Sequence, residues 1–223
     1  MLELACGTGR VTWPIARAGV AVVGLDIGSG MLRAAEAKRG REPREVSARA
    51  RFVRGDMTDF SLGEPFALVI IPFRAFQALL TPAAQRSSLT CIRRHLRSGG
   101  RLIVDIFDPR LDWILPDRTV PGLSDRPSVT HPITGNTVVV EVLTRANDPL
   151  RQLLSERWRF TETGSAGEIL RREEEILELR WSYRYEMRYL LELCGFSIED
   201  EFADFTGAPP AYGREQIWVA AAD

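Results

Sequence analysis

The segment Glu3-Leu4-Ala5-Cys6-Gly7-Thr8-Gly9-Arg10 gathers an acid, small residues and two glycines into eight positions. A glycine turn between a strand and a helix lets the backbone approach a ligand where a Cβ would collide. Asp26 stands seventeen residues after Gly9, at the end of the next apolar run. A carboxylate there can accept both hydroxyls of a ribose, as in nucleotide-binding doubly wound folds. Asp56 and Met57 follow a third run; the carboxylate could accept from an adenine amino group while the thioether packs on the ring. Each signal alone is common as plain structure, but their order at successive strand ends points to a nucleotide-like ligand. The dinucleotide fingerprint G-x-G-x-x-G competes, and an NAD-binding dehydrogenase-type module stays open as the weaker reading. Gly7 and Gly9 fit it, whereas Thr12 stands at the third glycine position.

The scarce residues narrow the chemistry further. His95 and His131 are the only histidines, and Cys6, Cys91 and Cys194 lie far apart without a C-x-x-C pair. A zinc site and a disulfide framework are therefore both improbable, and no metal is expected. Lys38, the only lysine, has Glu36, Arg39 and Arg41 as neighbours, which reads as a solvated face and argues against Schiff-base chemistry. No G-x-S-x-G elbow is present, so a serine hydrolase is unsupported. What remains is chemistry carried by a bound cofactor or by positioning.

Composition agrees with a folded, unspecialised surface. Hydrophobic residues make up 45% and charged residues 26% of the 223 positions, which is globular and not disordered composition. A net charge of −1 lacks the basic excess that a polyanion partner demands, so no nucleic acid is expected. No apolar run approaches the roughly 18 residues needed to span a bilayer, and Met1-Leu2-Glu3-Leu4 has no signal-peptide character. A cytoplasmic protein with no membrane partner is expected.

The elements that must position these residues follow a β-α rhythm. Leu2–Ala5 ends a strand, and a helix carrying Val11, Ile15 and Ala18 stops at Gly19. Val20–Leu25 is continuously apolar, as expected of a strand buried on both faces. Ser29 can cap a second helix, Arg51–Arg54 and Phe66–Ile71 read as strands, and Pro82 suits the first turn of a helix reaching about Leu96. Ser98-Gly99-Gly100 turns the chain into a fifth strand, Arg101–Phe107. Beyond Pro109 the pattern becomes that of an antiparallel meander, Thr137–Thr144, Leu153–Thr163 and Glu168–Leu179, with turns at Asn147-Asp148-Pro149 and Gly164–Gly167. A helix near Tyr185–Cys194 and strands near Phe196–Glu201 and Gln216–Ala221 close the chain. The expected fold is α/β, a doubly wound Rossmann-like seven-stranded sheet with its last strand antiparallel and an inserted β-meander. A single domain is expected: residues 1–110 hold the cofactor, 111–183 form the insertion and 184–223 complete the sheet.

The glycine turn resembles the first motif of class I S-adenosylmethionine-dependent methyltransferases: an acid, two small or apolar residues, then G-x-G. Asp26 resembles that family's ribose-binding acid and Asp56-Met57 its adenine-binding pair. Ile71-Pro72-Phe73-Arg74-Ala75-Phe76-Gln77 is similar to the loop that lies against the cofactor, and His95–Leu102 to the turn into the fifth strand. The insertion followed by Trp181-Ser182-Tyr183-Arg184-Tyr185-Glu186 resembles the small-molecule subgroup, including glycine and sugar-amine N-methyltransferases. The resemblance implies methyl transfer from S-adenosyl-L-methionine, leaving S-adenosyl-L-homocysteine, to a small acceptor. It implies a cofactor site made by Glu3, Ala5, Cys6, Gly7, Gly9, Arg10, Asp26, Ile27, Met31, Asp56, Met57, Pro72, Phe73, Phe76 and Gln77. The family usually places helices ahead of the first strand, whereas Met1 lies two residues before Glu3, so an N-terminally shortened member is expected. A catalytically silent binding protein is the alternative.

Methyl transfer from a sulfonium needs two reactants held in line more than it needs an acid or a metal. His131, Asp108 and Tyr183 are the candidates for assisting an acceptor that must lose a proton. Their plain readings are a loop histidine, a turn-initiating aspartate and packing under the meander. Phe73 and Phe76 divide evenly between core and pocket, and Arg74 either steers an anionic acceptor or reaches solvent. Trp113, Trp158 and Trp181 give the insertion aromatic material for an acceptor pocket or for a homodimer interface.

Overall fold

The computed structural model describes residues 1–110, 127–131 and 134–222. Trp113, with the rest of residues 111–126, lies outside the described residues. The chain divides into two units, Met1–Asp108 with Ser182–Asp223, and Pro109–Trp181.

In the first unit, short apolar runs become strands and the amphipathic stretches between them become helices. In chain order these are β1 (Leu2–Leu4), α1 (Thr12–Arg17), β2 (Val22–Asp26), α2 (Ser29–Ala37), α3 (Arg44–Ser47) and β3 (Ala50–Arg54). Then come β4 (Phe66–Ile71), α4 (Pro82–His95) and β5 (Leu96–Phe107). The second unit supplies β6 (Ser128–Thr130), β7 (Thr137–Asp148), β8 (Leu153–Thr163) and β9 (Ile169–Arg180). The chain returns through α5 (Arg184–Leu193), β10 (Phe196–Phe202) and β11 (Glu215–Ala222).

The seven-stranded sheet runs β10-β11-β5-β4-β1-β2-β3. Its strands β1 to β5 are mutually parallel, and β11 is antiparallel to both β5 and β10. This is the expected doubly wound Rossmann-like sheet with an antiparallel last strand. Strand order reverses between β1 and β4, and such a switch point opens a crevice at the carboxyl ends of the strands. The glycine turn follows β1 and the Pro72–Gln77 loop follows β4, so the topology alone sets them side by side. Leu2, Leu4, Leu25, Val69, Ile71, Leu102, Val104 and Trp218 are buried along the sheet, and Met187 and Leu191 of α5 close on it.

Three local expectations are corrected. Gly28, not Ser29, is the N-cap of α2, and no side chain caps it, because the Gly28 N–H goes to Asp26. β5 begins at Leu96 rather than Arg101: a register shift between Phe66 and Leu68 of β4 takes up the Gly99-Gly100 pair within the strand. The insertion is a four-stranded antiparallel sheet, β6-β7-β8-β9, and not three-stranded. By contrast α4 starts as expected, with Pro82 in its first turn and Thr81 Oγ1 accepting from the Ala84 N–H at 3.1 Å.

The four-stranded sheet has a modest interior of its own. The Trp181 indole donates to Asn147 Oδ1 at 2.8 Å, and the largely buried Arg145 and Glu156 form an ion pair at 2.5 Å. Among the described residues, no helix is long and apolar enough to cross a membrane.

Candidate functional site

Glu3 lies in the middle of β1, paired on one side by β2 and on the other by β4, and is 1% exposed. Burial pushes its carboxyl up to about 7; the hydrogen bond from the Thr12 hydroxyl opposes that shift and the charge of Asp26 adds to it. A charge in such a place costs free energy unless something cationic or hydrogen-bonding meets it.

The chain after β1 is unusually bent. Ala5, Gly7 and Gly9 all take positive φ, at 54°, 53° and 71°. Gly9 is required on two counts: its φ is left-handed, and an added Cβ would stand 3.0 Å from Phe52 Cζ and from Trp13 Cδ1. The Gly9 N–H donates to the Cys6 carbonyl, and the Cys6 N–H to Leu25, so the turn is sewn onto β2. The Cys6 thiol is buried against Gly24, and that burial raises it to about 12. It is inert as a nucleophile, and Cys6 offers the site only its backbone.

Asp26 closes the other side. One carboxylate oxygen accepts from the Gly7 N–H and the other from the Gly28 N–H, each at 2.7 Å. Its carboxylate therefore spans the glycine turn and the start of α2 with fixed geometry. Lys38, expected to be solvated, is half-buried and donates to the Thr8 carbonyl at 2.8 Å, pinning the same turn from α2.

Beside Asp26 is a cavity of about 250 Å³ lined by Ala5, Leu25, Asp26, Ile27, Gly55, Asp56, Met57, Thr58, Ala78 and Leu79. Asp56 bends its own turn, accepting from the Thr58 N–H and hydroxyl at 2.8 and 2.7 Å. Met57 is half-buried and packs against the core, while Ile27 and Met31 are exposed. The cavity is thus an apolar slot with carboxylates at its rim, the composition that suits a flat heteroaromatic ring joined to a hydroxylated sugar.

The loop after β4 completes the crevice. Phe73 and Arg74 are consecutive non-glycine residues with φ of 58° and 62°, a conformation costing roughly 1–3 kcal/mol apiece. The carboxylate of Asp105, buried on β5, lies beside their backbone N–H groups. Burial, with Glu215 nearby, pushes Asp105 up to about 6, and the two N–H groups and Arg74 pull the other way. Arg74 pairs with Glu215. The exposed Phe73 ring carries the Arg10 guanidinium 3.6 Å from its centroid, a favourable cation–π contact. Half-buried Pro72 leads into this bend. Phe76 is buried in the core; Gln77 is 1% exposed, and its Oε1 accepts from the Phe107 N–H at 3.0 Å. Gln77 Nε2 is buried without a hydrogen-bond partner.

The three candidates for proton handling fall in different places. Both oxygens of Asp108 are occupied, by the Gly213 N–H and by Gln216 Nε2, each at 2.8 Å. Tyr183 is exposed at the N-cap of α5, where Glu186 accepts from its backbone N–H at 3.3 Å. His131 belongs to the second unit, where its Nδ1 accepts from the Thr134 N–H at 3.2 Å in the β6–β7 hairpin. The structure brings the glycine turn, Asp26, Asp56-Met57 and the Pro72–Gln77 loop together at one sheet edge and leaves His131 in the other unit. Asp105 and Lys38 are the residues that sequence reasoning missed. Each lies against a backbone segment thirty or more residues away, and only the fold creates that pairing.

Residues 1–100 match the model of a methyltransferase domain. Over 220 residues the chain is 28% identical to a cypemycin N-terminal methyltransferase from a Streptomyces species, covering 98% of this chain and 81% of that protein. Among solved structures it superposes on the CcbJ methyltransferase from Streptomyces caelestis with a TM-score of 0.80 at 25% identity, covering 100% of this chain and 83% of that one. The S-adenosylmethionine-bound amino pentose methyltransferase CalS10 from Micromonospora echinaspora gives a TM-score of 0.70, also at 25% identity, over 100% of this chain and 82% of that one.

Proposed function

We propose that the chain is a class I S-adenosylmethionine-dependent methyltransferase that methylates an amine of a small molecule. The observation that carries the cofactor assignment is the geometry around Asp26, a fixed carboxylate beside an apolar slot of about 250 Å³. Asp26 would take the ribose hydroxyls, and the slot between Ile27 and Met57 the adenine, with Asp56 at its amino edge. Gly7 and Gly9 would let the backbone meet the methionine moiety, under Arg10 and Phe73. Glu3, buried and raised to about 7, fits an ammonium group, since a cation would compensate the cost of ionising it.

When bound, the cofactor supplies a methyl group already activated on a sulfonium. What the chain contributes is placement: Asp105 and Gln77 fix the loop that borders the crevice, and the Phe73 ring offers a π face to positive charge. An amine acceptor must arrive neutral, or lose its proton to His131, to water, or through Tyr183 as a relay that gives up its own phenolic proton as it takes one. Asp108, with both oxygens engaged, suits the anchoring of the 213–216 segment better than proton transfer. The amine is supported by the activities of the relatives, an N-terminal methyltransferase and an amino pentose methyltransferase. A small acceptor is favoured over nucleic acid because a net charge of −1 supplies no basic stripe. We further propose that the insertion lies within one methyltransferase domain and carries a contact with a second copy of the chain.

Calorimetry with S-adenosylmethionine and with NAD tests the cofactor, and labelled-methyl transfer to a panel of aminosugars, small peptides and phenols tests the acceptor. Asp26→Ala should weaken cofactor binding by roughly 1–3 kcal/mol through lost hydrogen bonds. Unchanged affinity in that variant would remove Asp26 from the site, and methylation confined to phenols would refute the amine.

A further inference from the structure

β9 is the outer strand of the four-stranded sheet, and among the described residues no strand pairs with its free edge. Ten consecutive residues, Ile169 to Glu178, are exposed, so both faces of the strand are open as well as its edge. Such an edge presents a row of unpaired N–H and C=O groups to any other strand. Ile176 is 65% exposed and Ile169 56%, which makes this an apolar edge as well as a polar one.

The order of residue types along it is symmetrical. Ile169-Leu170-Arg171-Arg172-Glu173-Glu174-Glu175-Ile176-Leu177 reads as two apolar, two basic, one central acid, two acidic and two apolar residues. We propose that β9 pairs antiparallel with β9 of a second copy, about a two-fold axis through Glu173. This rests on the reading that the second unit makes a homodimer, and it names the strand and the register.

The register follows from pleat and charge. A two-fold axis perpendicular to a sheet keeps each face on its own side, so only residues of the same face can stand opposite one another. With the axis at Glu173, Arg172 faces the partner's Glu174 on one face. On the other face Arg171 meets the partner's Glu175, and the regular pleat ends there, because Leu170 is the extra residue of a bulge against β8. Each of these pairs occurs twice by symmetry. Within the regular pleat from Arg171 onward the like-charge encounter is Glu173 with its copy, flanked by Arg171, which already pairs with Glu173 within the chain. Moving the axis to Arg172 sets that arginine against its own copy, and moving it to Glu174 sets Glu173 against Glu175. Only the Glu173 register sets both arginines against glutamates.

Sedimentation of the full chain at low salt tests this. A reversible dimer is expected, weakened by salt because its pairs are exposed. Arg172→Glu alone, or Glu174→Arg, which also gives up the ion pair with Arg159 inside the chain, replaces two opposite-charge pairs by like-charge pairs and should raise the dimer dissociation constant roughly tenfold or more. The double variant R172E/E174R restores opposite charges in this register and should return the constant to within about threefold of wild type. A wild-type chain that stays monomeric would overturn both the homodimer and its register, leaving the edge to a different partner. A dimer indifferent to the single changes, or a double variant as weak as the single ones, would overturn the register and leave the homodimer standing.

Discussion

Glu3 and Glu173 are both glutamates in the middle of β-strands, one in each unit of the molecule, and their surroundings differ in every respect. Glu3 is flanked by parallel neighbours and buried, with the Thr12 hydroxyl on its carboxylate. Glu173 stands on an edge strand in water, beside Arg171. An ionised group in the first setting is costly and persists only where a ligand or a hydrogen bond meets it. In the second it costs little, and its information lies in what it could face. The first unit therefore reads as a site for a small cation-bearing ligand, and the second as a surface. The same contrast extends to two glycines of positive φ: Gly9 of the first unit is packed against Phe52 and Trp13, whereas Gly167 of the second faces open space.

The largest expected effect breaks the packed side of that contrast. Gly9→Ala would force an L-residue into a φ of 71° with its Cβ 3.0 Å from Phe52 and Trp13. Strain and overpacking together should cost about 3 kcal/mol of stability, read by urea denaturation, and cofactor binding should fall with it. Asp105→Ala should come next. It removes the buried carboxylate beside the Phe73–Arg74 bend, and a loss of about 2 kcal/mol is expected from weakening support for a strained loop. Because the loop borders the crevice, the Michaelis constant for S-adenosylmethionine should rise in the same variant; an unmoved constant would make Asp105 a purely structural residue.

Glu3 yields a pH dependence whose sign is opposite to that of a salt-bridged acid. Its folded pKa of about 7 exceeds the ordinary glutamate value of 4.5. Between those pH values the folded chain keeps a proton that the unfolded chain has released. Stability from this group therefore falls as pH rises through that window and levels off above 7. Glu3→Gln should remove the slope and, at pH 8 without cofactor, stabilise the chain by an amount on the order of 2 kcal/mol. The same variant should bind S-adenosylmethionine more weakly, and wild-type binding should weaken as pH drops below 7. A variant less stable than wild type at pH 8 would show that the Thr12 hydrogen bond outweighs the burial of charge.

Much of the first unit was legible because its strands are covered on both faces and so read as unbroken apolar runs, Phe66–Ile71 above all. The acids that end such runs, Asp26 and Asp56, were legible for the same reason: strand ends locate the crevice. Asp105 was not, since a single acid inside an apolar strand gives no hint of the N–H groups it will meet on another loop. Lys38 was misjudged because its sequence neighbours are charged, while its actual partner, Thr8, is thirty positions away. In the first unit β5 was read late because Gly99-Gly100 imitates a turn, and in the second β6 was missed because Ser128-Val129-Thr130 is too short to show a period. Exposure on both faces leaves no alternation to read, so β9 announced itself as a strand but not as an edge.

The smallest expected effect sharpens the comparison by repeating its largest in the other unit. Gly167 lies in the turn between β8 and β9 with a φ of 84°, and an added Cβ there would meet nothing within 4 Å. Its N–H donates to the Gly164 carbonyl at 3.0 Å, a bond that a methyl group need not disturb. Gly167→Ala should therefore cost only the left-handed backbone term, about 1 kcal/mol, and leave cofactor affinity unchanged. The difference from Gly9→Ala then isolates the contribution of Phe52 and Trp13, because residue type, substitution and sign of φ are shared. Equal losses at the two positions would mean that the glycine turn relaxes around a methyl group, and that the close approach at Gly9 does not serve the site.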